Sequence, residues 1–160
     1  MAALNIGAEE FQEFRDFLQV VAGIDLGQNK QYLVATRLRR IFQDYSCSTL
    51  AELTALIKSP SKHEVKQKVI DVMTTNETFW FRDTYPFDYM KSTILPTLNK
   101  ENPGGRFRLW SAACSSGQEA FSLSMIIDEY MRDNFSAKKM LWEIVGTDLS
   151  SAILDKAKTG

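Results

Sequence analysis

The residues of this sequence best suited to bind a ligand are a carboxylate, Asp148, and a loop of small residues, 111–117. The loop follows an apolar run, 107–112, that predicts a buried strand with Trp110 inside, and its small side chains let a ligand approach the backbone closely. A second apolar run, 141–147, ends at Asp148. Parallel strands of a βαβ unit end at one edge of a sheet, where an acid can accept hydrogen bonds from both hydroxyls of a ribose. The pattern therefore indicates a nucleoside site, for either an adenosyl ligand or an adenine dinucleotide.

The glycine content of the loop favours the first of these ligands. A dinucleotide fingerprint needs three glycines to bring the backbone against a pyrophosphate, but the loop contains only Gly117. Glu119 follows in the first turn of a predicted amphipathic helix, where a carboxylate repels a pyrophosphate and attracts a cation. S-adenosylmethionine, with its sulfonium and amino groups, is therefore the expected ligand. The structural alternatives are that Glu119 complements the helix dipole and that Asp148 caps the next helix.

Composition argues against several other classes of function. The 19 basic and 20 acidic residues among 160 leave a formal net charge of -1, so we expect neither a nucleic-acid partner nor insertion into a membrane. Cys47 and Cys114, without a signal peptide or a long apolar span, indicate the cytoplasm. Cys114 is expected to be a small buried filler. The only histidine, His63, cannot by itself form a histidine-based zinc cluster, so no metal is expected.

Apolar residues at helical spacing predict an all-helical domain over residues 1–98. Its expected helices are Glu9 to Ala22 with Gly23 as the C-terminal cap, Asn29 to Tyr45, two short helices that start at the capping boxes Thr49/Glu52 and Ser61/Glu64, and Pro86 to Ile94, which Pro96 ends or kinks. The polar, turn-rich segment 99–105 is predicted to be a linker. Residues 106–160 are predicted to form the first βαβα part of an α/β domain.

A second candidate ligand-binding segment, 74–82, joins the fourth and fifth predicted helices. Short polar side chains on such a loop are well placed to contact a nucleoside, so we predict that Asn76 and Thr78 bind the ligand. Arg82 can pair bidentately with a carboxylate, of either the cofactor or a substrate, and is the candidate for orienting it. The consecutive aromatics, 79–81, are interpreted as a plug between the helical and α/β parts.

Three motifs give the sequence a family resemblance. They are Thr-Thr-Asn-Glu-Thr-Phe-Trp-Phe-Arg at 74–82, Leu-Trp-Ser-Ala-Ala-Cys-Ser-Ser-Gly-Gln-Glu-Ala-Phe-Ser-Leu-Ser-Met at 109–125, and Gly-Thr-Asp-Leu-Ser at 146–150. In this order they resemble the CheR family of chemotaxis receptor methyltransferases, and the resemblance extends over nearly the whole chain. It implies an α-helical N-terminal domain followed by a Rossmann-like, S-adenosylmethionine-dependent methyltransferase domain. The small departures are Trp80, where phenylalanine is more usual, and Gln118 and Ala120, where glutamate and proline are more usual.

The resemblance implies an activity and its site. Members of the family transfer a methyl group from S-adenosylmethionine to glutamate side chains on the cytoplasmic helices of methyl-accepting chemotaxis receptors, leaving S-adenosylhomocysteine and needing no metal. The expected cofactor-binding residues are Asn76, Thr78, Arg82, Glu119 and Asp148. No general base is expected, because a glutamate with a reference pKa of about 4.3 is already ionised at neutral pH. A regulatory protein is a further candidate partner.

A basic group on the second predicted helix, Lys30, Arg37 and Arg40, resembles the surface with which the family meets the acidic methylation helices of the receptor. We therefore predict that these three residues dock the receptor. The alternative is a solvated helix face, on which ion pairs contribute about 0 to 1 kcal/mol.

The resemblance also indicates either that the sequence is part of a longer protein or that another chain completes its sheet, by domain exchange for example. A doubly wound sheet has more strands than the two predicted here, and two strands leave an edge unpaired and a face uncovered. Residues 1–160 alone are therefore expected to bind the cofactor weakly and to be inactive. Two other classes of function stay open at this point. One is a non-catalytic adaptor that binds receptors or regulators through the helical domain, and the other is a dinucleotide-dependent oxidoreductase, against which the missing glycines count.

Overall fold

The computed structural model describes residues 6–160, which divide into two compact units. The first unit ends at Thr75 and also includes Leu149–Ser151, and the second comprises Asn76–Asp148 and Ala152–Gly160. The boundary predicted from the sequence lies later, at residue 98. The structure differs because Phe87 and Leu95 share a core with Ile126 and Ile127, so the helices after residue 76 pack with the second unit.

Four helices form the first unit: α1 (Ala8–Ala22), α2 (Gln31–Asp44), α3 (Leu50–Lys58) and α4 (His63–Met73). Their apolar faces enclose one core, in which Phe14, Leu18, Leu38, Leu53 and Val69 are completely buried. None of the helices in residues 6–160 is both long enough and apolar enough to cross a membrane.

Two of the predicted helix ends are confirmed and one is wrong. Gly23 ends α1 in the left-handed conformation with φ of 66°, as glycine does at little cost. Thr49 begins α3 with the predicted capping box, in which its hydroxyl accepts from the N–H of Glu52. The capping box predicted at Ser61 does not form, because α4 begins at His63 and Lys62 occupies the cap position without a side-chain bond.

The second unit opens with helical segments that continue further than predicted. Helix α5 (Tyr85–Tyr89) leads through a π-helical turn (Met90–Ile94) into α6 (Leu95–Glu101), where the sequence predicted one helix ending near Ile94 or kinked by Pro96. Pro96 lies in the first turn of α6. Because the helical stretch is continuous, Pro96 lacks the N–H that would bond a carbonyl of the preceding turn, and that turn is the irregular, π-helical one.

The rest of the second unit is a βαβ unit followed by a helix. Its elements are β1 (Arg106–Ala112), α7 (Gln118–Asp133), a 3-10 turn (Phe135–Lys139), β2 (Leu141–Thr147) and α8 (Ser151–Thr159). The strands are parallel, and their register pairs Arg106 with Leu141 at one end and Ala112 with Thr147 at the other. Both strands therefore end at the same edge of the sheet, and the loops that follow them start side by side.

One face of the sheet packs on the core of the second unit and the other is exposed. Leu109 and Ile144 pack against the buried cluster that includes Ile127, whereas Trp110 is 71% exposed. Successive side chains of a strand point to opposite faces, so the burial predicted for Trp110 is wrong. On the exposed face, its indole N–H donates to the Thr147 hydroxyl over 2.9 Å.

Candidate functional site

The loop after β1 has an unusual backbone conformation and is hydrogen-bonded to the end of β2. Ala113, Ser115 and Gly117 have positive φ angles of 59°, 50° and 95°. The N–H of Cys114 donates to the carbonyl oxygen of Thr147 over 2.9 Å. A Cβ at Gly117 would come within 2.9 Å of the Phe121 ring, so position 117 requires glycine for both space and conformation.

Ser115 connects three segments that are far apart in the sequence. Its backbone N–H donates to Asp148 Oδ2 over 2.9 Å, and its hydroxyl donates to the carbonyl oxygen of Asn76 over 2.7 Å. Ser115 itself is buried. The structure therefore places the predicted segment 74–82, the loop of small residues and the carboxylate of Asp148 next to one another.

Glu119 is positioned by the end of β1. The hydroxyl of Ser111, which is completely buried, donates to Glu119 Oε1 over 2.6 Å, and Glu119 itself is exposed. Burial raises the pKa of the Cys114 thiol above its ordinary value, and the negative charges of Asp148 and, more weakly, Glu119 raise it further. The two carboxylates are thus bonded to two serines four residues apart, Asp148 to Ser115 and Glu119 to Ser111, around one loop. Cys114 is a buried filler, as predicted.

Thr78 and Arg82 lie further along the segment that Asn76 begins. Thr78 is half-buried. The Arg82 guanidinium is exposed and contacts its own segment, donating to the carbonyl oxygen of Glu77 over 3.3 Å and lying 3.8 Å from the carboxylate of Asp83. The segment is held against α7 at the N–H of Phe81, which donates to the Ser122 hydroxyl over 3.1 Å.

The aromatic residues of this segment are more exposed than a plug would be. Phe79 and Trp80 are each 55% exposed, so the interpretation of these two as a buried plug is wrong. Phe81 makes an edge-on contact with the ring of Phe87, with 5.5 Å between centroids, and Trp80 lies 6.3 Å from the ring of Phe121.

The three predicted docking residues do not have equivalent environments. Lys30 is an exposed residue just before α2, and the side chain of Arg40 is 89% exposed, with only a 3.8 Å pair to Asp44. Arg37 instead donates to the carbonyl oxygens of Met73 and Thr74, over 2.6 and 3.1 Å, and to the hydroxyl of Thr75. The sequence did not predict this contact or the hydrogen bonds of Ser111 and Ser115. Each of these bonds joins residues that are too far apart in the chain for the repeat of a helix or a strand to bring them together.

Two family models match successive parts of the chain. A family model described as the all-alpha domain of CheR methyltransferases matches residues 9–74, and one described as the SAM-binding domain of CheR methyltransferases matches residues 76–160. The chain belongs to the CheR methyltransferase family. The resemblance and the fold class given above are thereby confirmed, and the junction between the two CheR matches falls beside the structural division after Thr75.

Several curated CheR relatives align with nearly the whole chain. A protein named chemotaxis protein methyltransferase Cher2, from Pseudomonas putida, is 48% identical over 157 residues, which are 98% of this chain and 57% of that relative. Chemotaxis protein methyltransferase 1 of Pseudomonas aeruginosa is 50% identical over 160 residues, and a Vibrio cholerae protein of the same name is 36% identical over 162. In both of these, the chain aligns over its whole length and covers 57% of the relative. The chain thus spans about 57% of the length of these relatives.

The residues of the CheR site fit the cofactor that the family model names. Asp148 directly follows the end of β2, a place where a carboxylate can accept from a ribose diol, and Glu119 lies in the first turn of α7, where a carboxylate attracts a cation. The loop between them carries only small side chains. Within the described part of the chain, no three His, Cys, Asp or Glu side chains are grouped to hold a metal ion. That the chemistry needs no metal stays a prediction.

Proposed function

We propose that the full-length protein transfers a methyl group from S-adenosylmethionine to glutamate carboxylates of chemotaxis receptors, producing glutamate methyl esters and S-adenosylhomocysteine. The observation that carries the proposal is the match of residues 76–160 to a SAM-binding domain whose expected contact residues, Asn76 and Asp148, are bonded to one serine. The names of the relatives, chemotaxis protein methyltransferases, support the chemotaxis context.

Each proposed binding residue has a role that follows from its chemistry. Asp148 accepts hydrogen bonds from the ribose hydroxyls, and Glu119 stabilises the cationic end of the cofactor. Asn76 and Thr78 supply short polar side chains beside the same loop. Arg82, which is exposed, orients a carboxylate through the paired N–H donors of its guanidinium.

The proposed reaction makes few acid–base demands on the protein. When bound, the cofactor supplies a methyl group activated by a positively charged sulfur. The accepting glutamate is ionised at neutral pH, since its reference pKa is about 4.3, so no side chain has to remove a proton. The task of the binding residues is to hold the two reactants in line and to exclude water. This fits a site that contains carboxylates and an arginine but no histidine.

Calorimetric titration of the full-length protein with S-adenosylhomocysteine and with NAD tests the cofactor assignment. We expect heat of binding with S-adenosylhomocysteine and none with NAD. Asp148→Asn should weaken the binding of S-adenosylhomocysteine about tenfold, because a ribose hydrogen bond to a charged acceptor contributes about 1.5 to 3 kcal/mol. Asp155→Asn is the matched control, since Asp155 is an exposed carboxylate on α8 that pairs with Lys158. Binding of NAD alone would favour the oxidoreductase, and binding of neither ligand would favour the adaptor.

A methyl-transfer assay tests the substrate. The full-length protein is incubated with S-adenosylmethionine that carries a radiolabelled methyl group, together with the cytoplasmic domain of a methyl-accepting receptor. We expect label in the receptor that mild alkali releases as methanol, as a carboxyl methyl ester requires. The control is the same receptor with glutamine at its methylation positions. Equal labelling of that control would contradict a glutamate substrate.

We further propose that Lys30 and Arg40 dock the receptor, since both side chains are exposed and the receptor surface expected from the family is acidic. Arg37, the third predicted docking residue, is engaged by the end of α4, so the docking role proposed for it is secondary to that contact.

Because the proposed substrate is the cytoplasmic part of a receptor, we propose that the reaction takes place in the cytoplasm. The domain boundary is proposed at Thr75, in place of residue 98.

A further inference from the structure

We propose that Ser115 is a positioning residue of the cofactor site, whose hydroxyl holds the backbone of Asn76 beside the carboxylate of Asp148. This inference rests on the proposed function and assigns a role to a residue that the expected binding set does not contain. It concerns contacts within the second unit alone.

The hydrogen bonds of Ser115 suit it for holding other residues in place. Its backbone N–H donates to Asp148 Oδ2 over 2.9 Å and its side-chain hydroxyl donates to the Asn76 carbonyl oxygen over 2.7 Å, so this one residue links a position 33 residues after it with one 39 residues before it. A serine hydroxyl has one proton to donate, and the Asn76 carbonyl receives it. Ser115 is 5% exposed. Its hydroxyl therefore acts on a ligand through Asn76 rather than by donating to the ligand itself.

The backbone conformation at position 115 is one that glycine adopts at a lower cost than serine. Ser115 has a φ of 50°, in the left-handed region that glycine occupies readily and that other residues adopt at a cost. Gly117, two residues later, also has a positive φ and is a glycine. A glycine at position 115 would relax the backbone but would lack the hydroxyl. Ala113, in the same loop, also has a positive φ, of 59°, without a hydroxyl, so the bond to Asn76 and not the conformation carries the proposed role.

Two substitutions separate positioning from simple stabilisation. Ser115→Ala removes the hydroxyl and keeps the costly conformation, whereas Ser115→Gly removes the hydroxyl and relieves that cost. If Ser115 positions the site, both variants bind S-adenosylhomocysteine about tenfold more weakly, a loss of about 1.4 kcal/mol. The glycine variant should nevertheless unfold at higher urea concentration than the alanine variant. A purely structural role predicts instead that affinity follows stability, with the glycine variant binding better than the alanine variant.

The matched control is Thr54→Ala. Thr54 is also a completely buried hydroxyl that donates to a backbone carbonyl oxygen, that of Leu50 over 2.8 Å, but it lies in α3 within the core of the first unit. Its replacement should lower the urea midpoint while leaving the dissociation constant for S-adenosylhomocysteine within twofold of the unsubstituted protein.

A double-mutant cycle tests whether Ser115 acts through Asn76. Titration calorimetry on the full-length protein measures the affinity of Asn76→Ala, Ser115→Ala and the double variant for S-adenosylhomocysteine. If the hydroxyl positions Asn76, the double variant loses clearly less affinity than the product of the two single losses. Multiplicative losses, or Ser115 variants that bind within twofold of the unsubstituted protein, overturn the inference and leave the proposed function standing. Failure of the unsubstituted protein to bind S-adenosylhomocysteine overturns the proposed function itself.

Discussion

Replacing Arg37 should destabilise the helical unit much more than replacing Arg40, although both arginines lie on α2. Arg37 donates to the last carbonyl oxygens of α4, at Met73 and Thr74, and to the hydroxyl of Thr75. The last carbonyl groups of a helix lack partners within it and carry the negative end of its dipole. A cation bonded to them therefore stabilises the end of α4.

The size of the effect follows from the kind of bond that is lost. Hydrogen bonds to charged groups contribute about 1.5 to 3 kcal/mol each, and the bonds of one guanidinium overlap rather than add. We therefore expect Arg37→Ala to lower the free energy of unfolding by about 2 kcal/mol. The side chain of Arg40 is 89% exposed and pairs loosely with Asp44, at 3.8 Å. A surface pair of this kind contributes about 0.3 to 0.5 kcal/mol, so Arg40→Ala should change stability by no more than that.

Urea unfolding followed by two signals distinguishes the two units. The tryptophans, Trp80, Trp110 and Trp142, all lie in the second unit, so their fluorescence follows that unit, while ellipticity at 222 nm follows the helices of both. Arg37→Ala should shift the ellipticity transition to lower urea by more than it shifts the fluorescence transition. Arg37→Lys should recover part of the loss, because it keeps the charge but not the paired donors. Equal stabilities for the Arg37→Ala and Arg40→Ala variants would refute the reasoning.

Three further outcomes follow from contacts described above. Lys30→Glu combined with Arg40→Glu should slow receptor methylation at low salt with the affinity for S-adenosylhomocysteine unchanged; equal initial rates would exclude docking by this pair. Gly146→Ala should lower the free energy of unfolding by about 1 to 3 kcal/mol, because the new Cβ would lie 2.8 Å from Cys114 Sγ. Adding Cys114→Ala removes that sulfur and should restore part of the lost stability. If it restores none, the clash lies elsewhere. Burial, followed by the charges of two carboxylates, raises the pKa of the Cys114 thiol above its ordinary value, so the unfolded chain releases this proton first as pH rises. The contribution of this thiol to stability should therefore be complete below the ordinary thiol pKa of about 8.5 and decline above it. Cys114→Ala should reduce the fall in stability measured by urea titrations across pH 8 to 11.

Local signals in the sequence predicted the features that depend on neighbouring residues. Gly23 and the Thr49 capping box are set by residues within one helical turn, and both form as expected. The box at Ser61 has the same spacing and fails. The helix begins later than the box requires, at His63, so Glu64 falls in its first turn and pairs with Lys68 over 2.7 Å instead.

Features that depend on residues far apart in the chain could not be predicted in the same way. The apolar composition of β1 predicted that Trp110 is buried, but composition does not say which face of a two-stranded sheet is covered. The motifs gave the positions of Asn76 and Asp148, whereas the serine that joins them became visible only once three segments had been placed together. The positive charge of Arg37 predicted that it docks a partner. Its bond to the end of α4 depends on how α2 and α4 pack, which the sequence pattern does not specify.

The π-helical turn at Met90–Ile94 allows the length of this part of the chain to vary without changing its core. Phe87 and Leu95 are eight residues apart and both buried in one cluster, yet a regular α-helix brings residues to the same side after about seven residues, or two turns. The wide turn accommodates the one residue in excess. A homologue with one residue fewer between these two positions would form an uninterrupted helix and keep both side chains in contact with α7, so a single-residue gap in an alignment at this point would not signal a different fold.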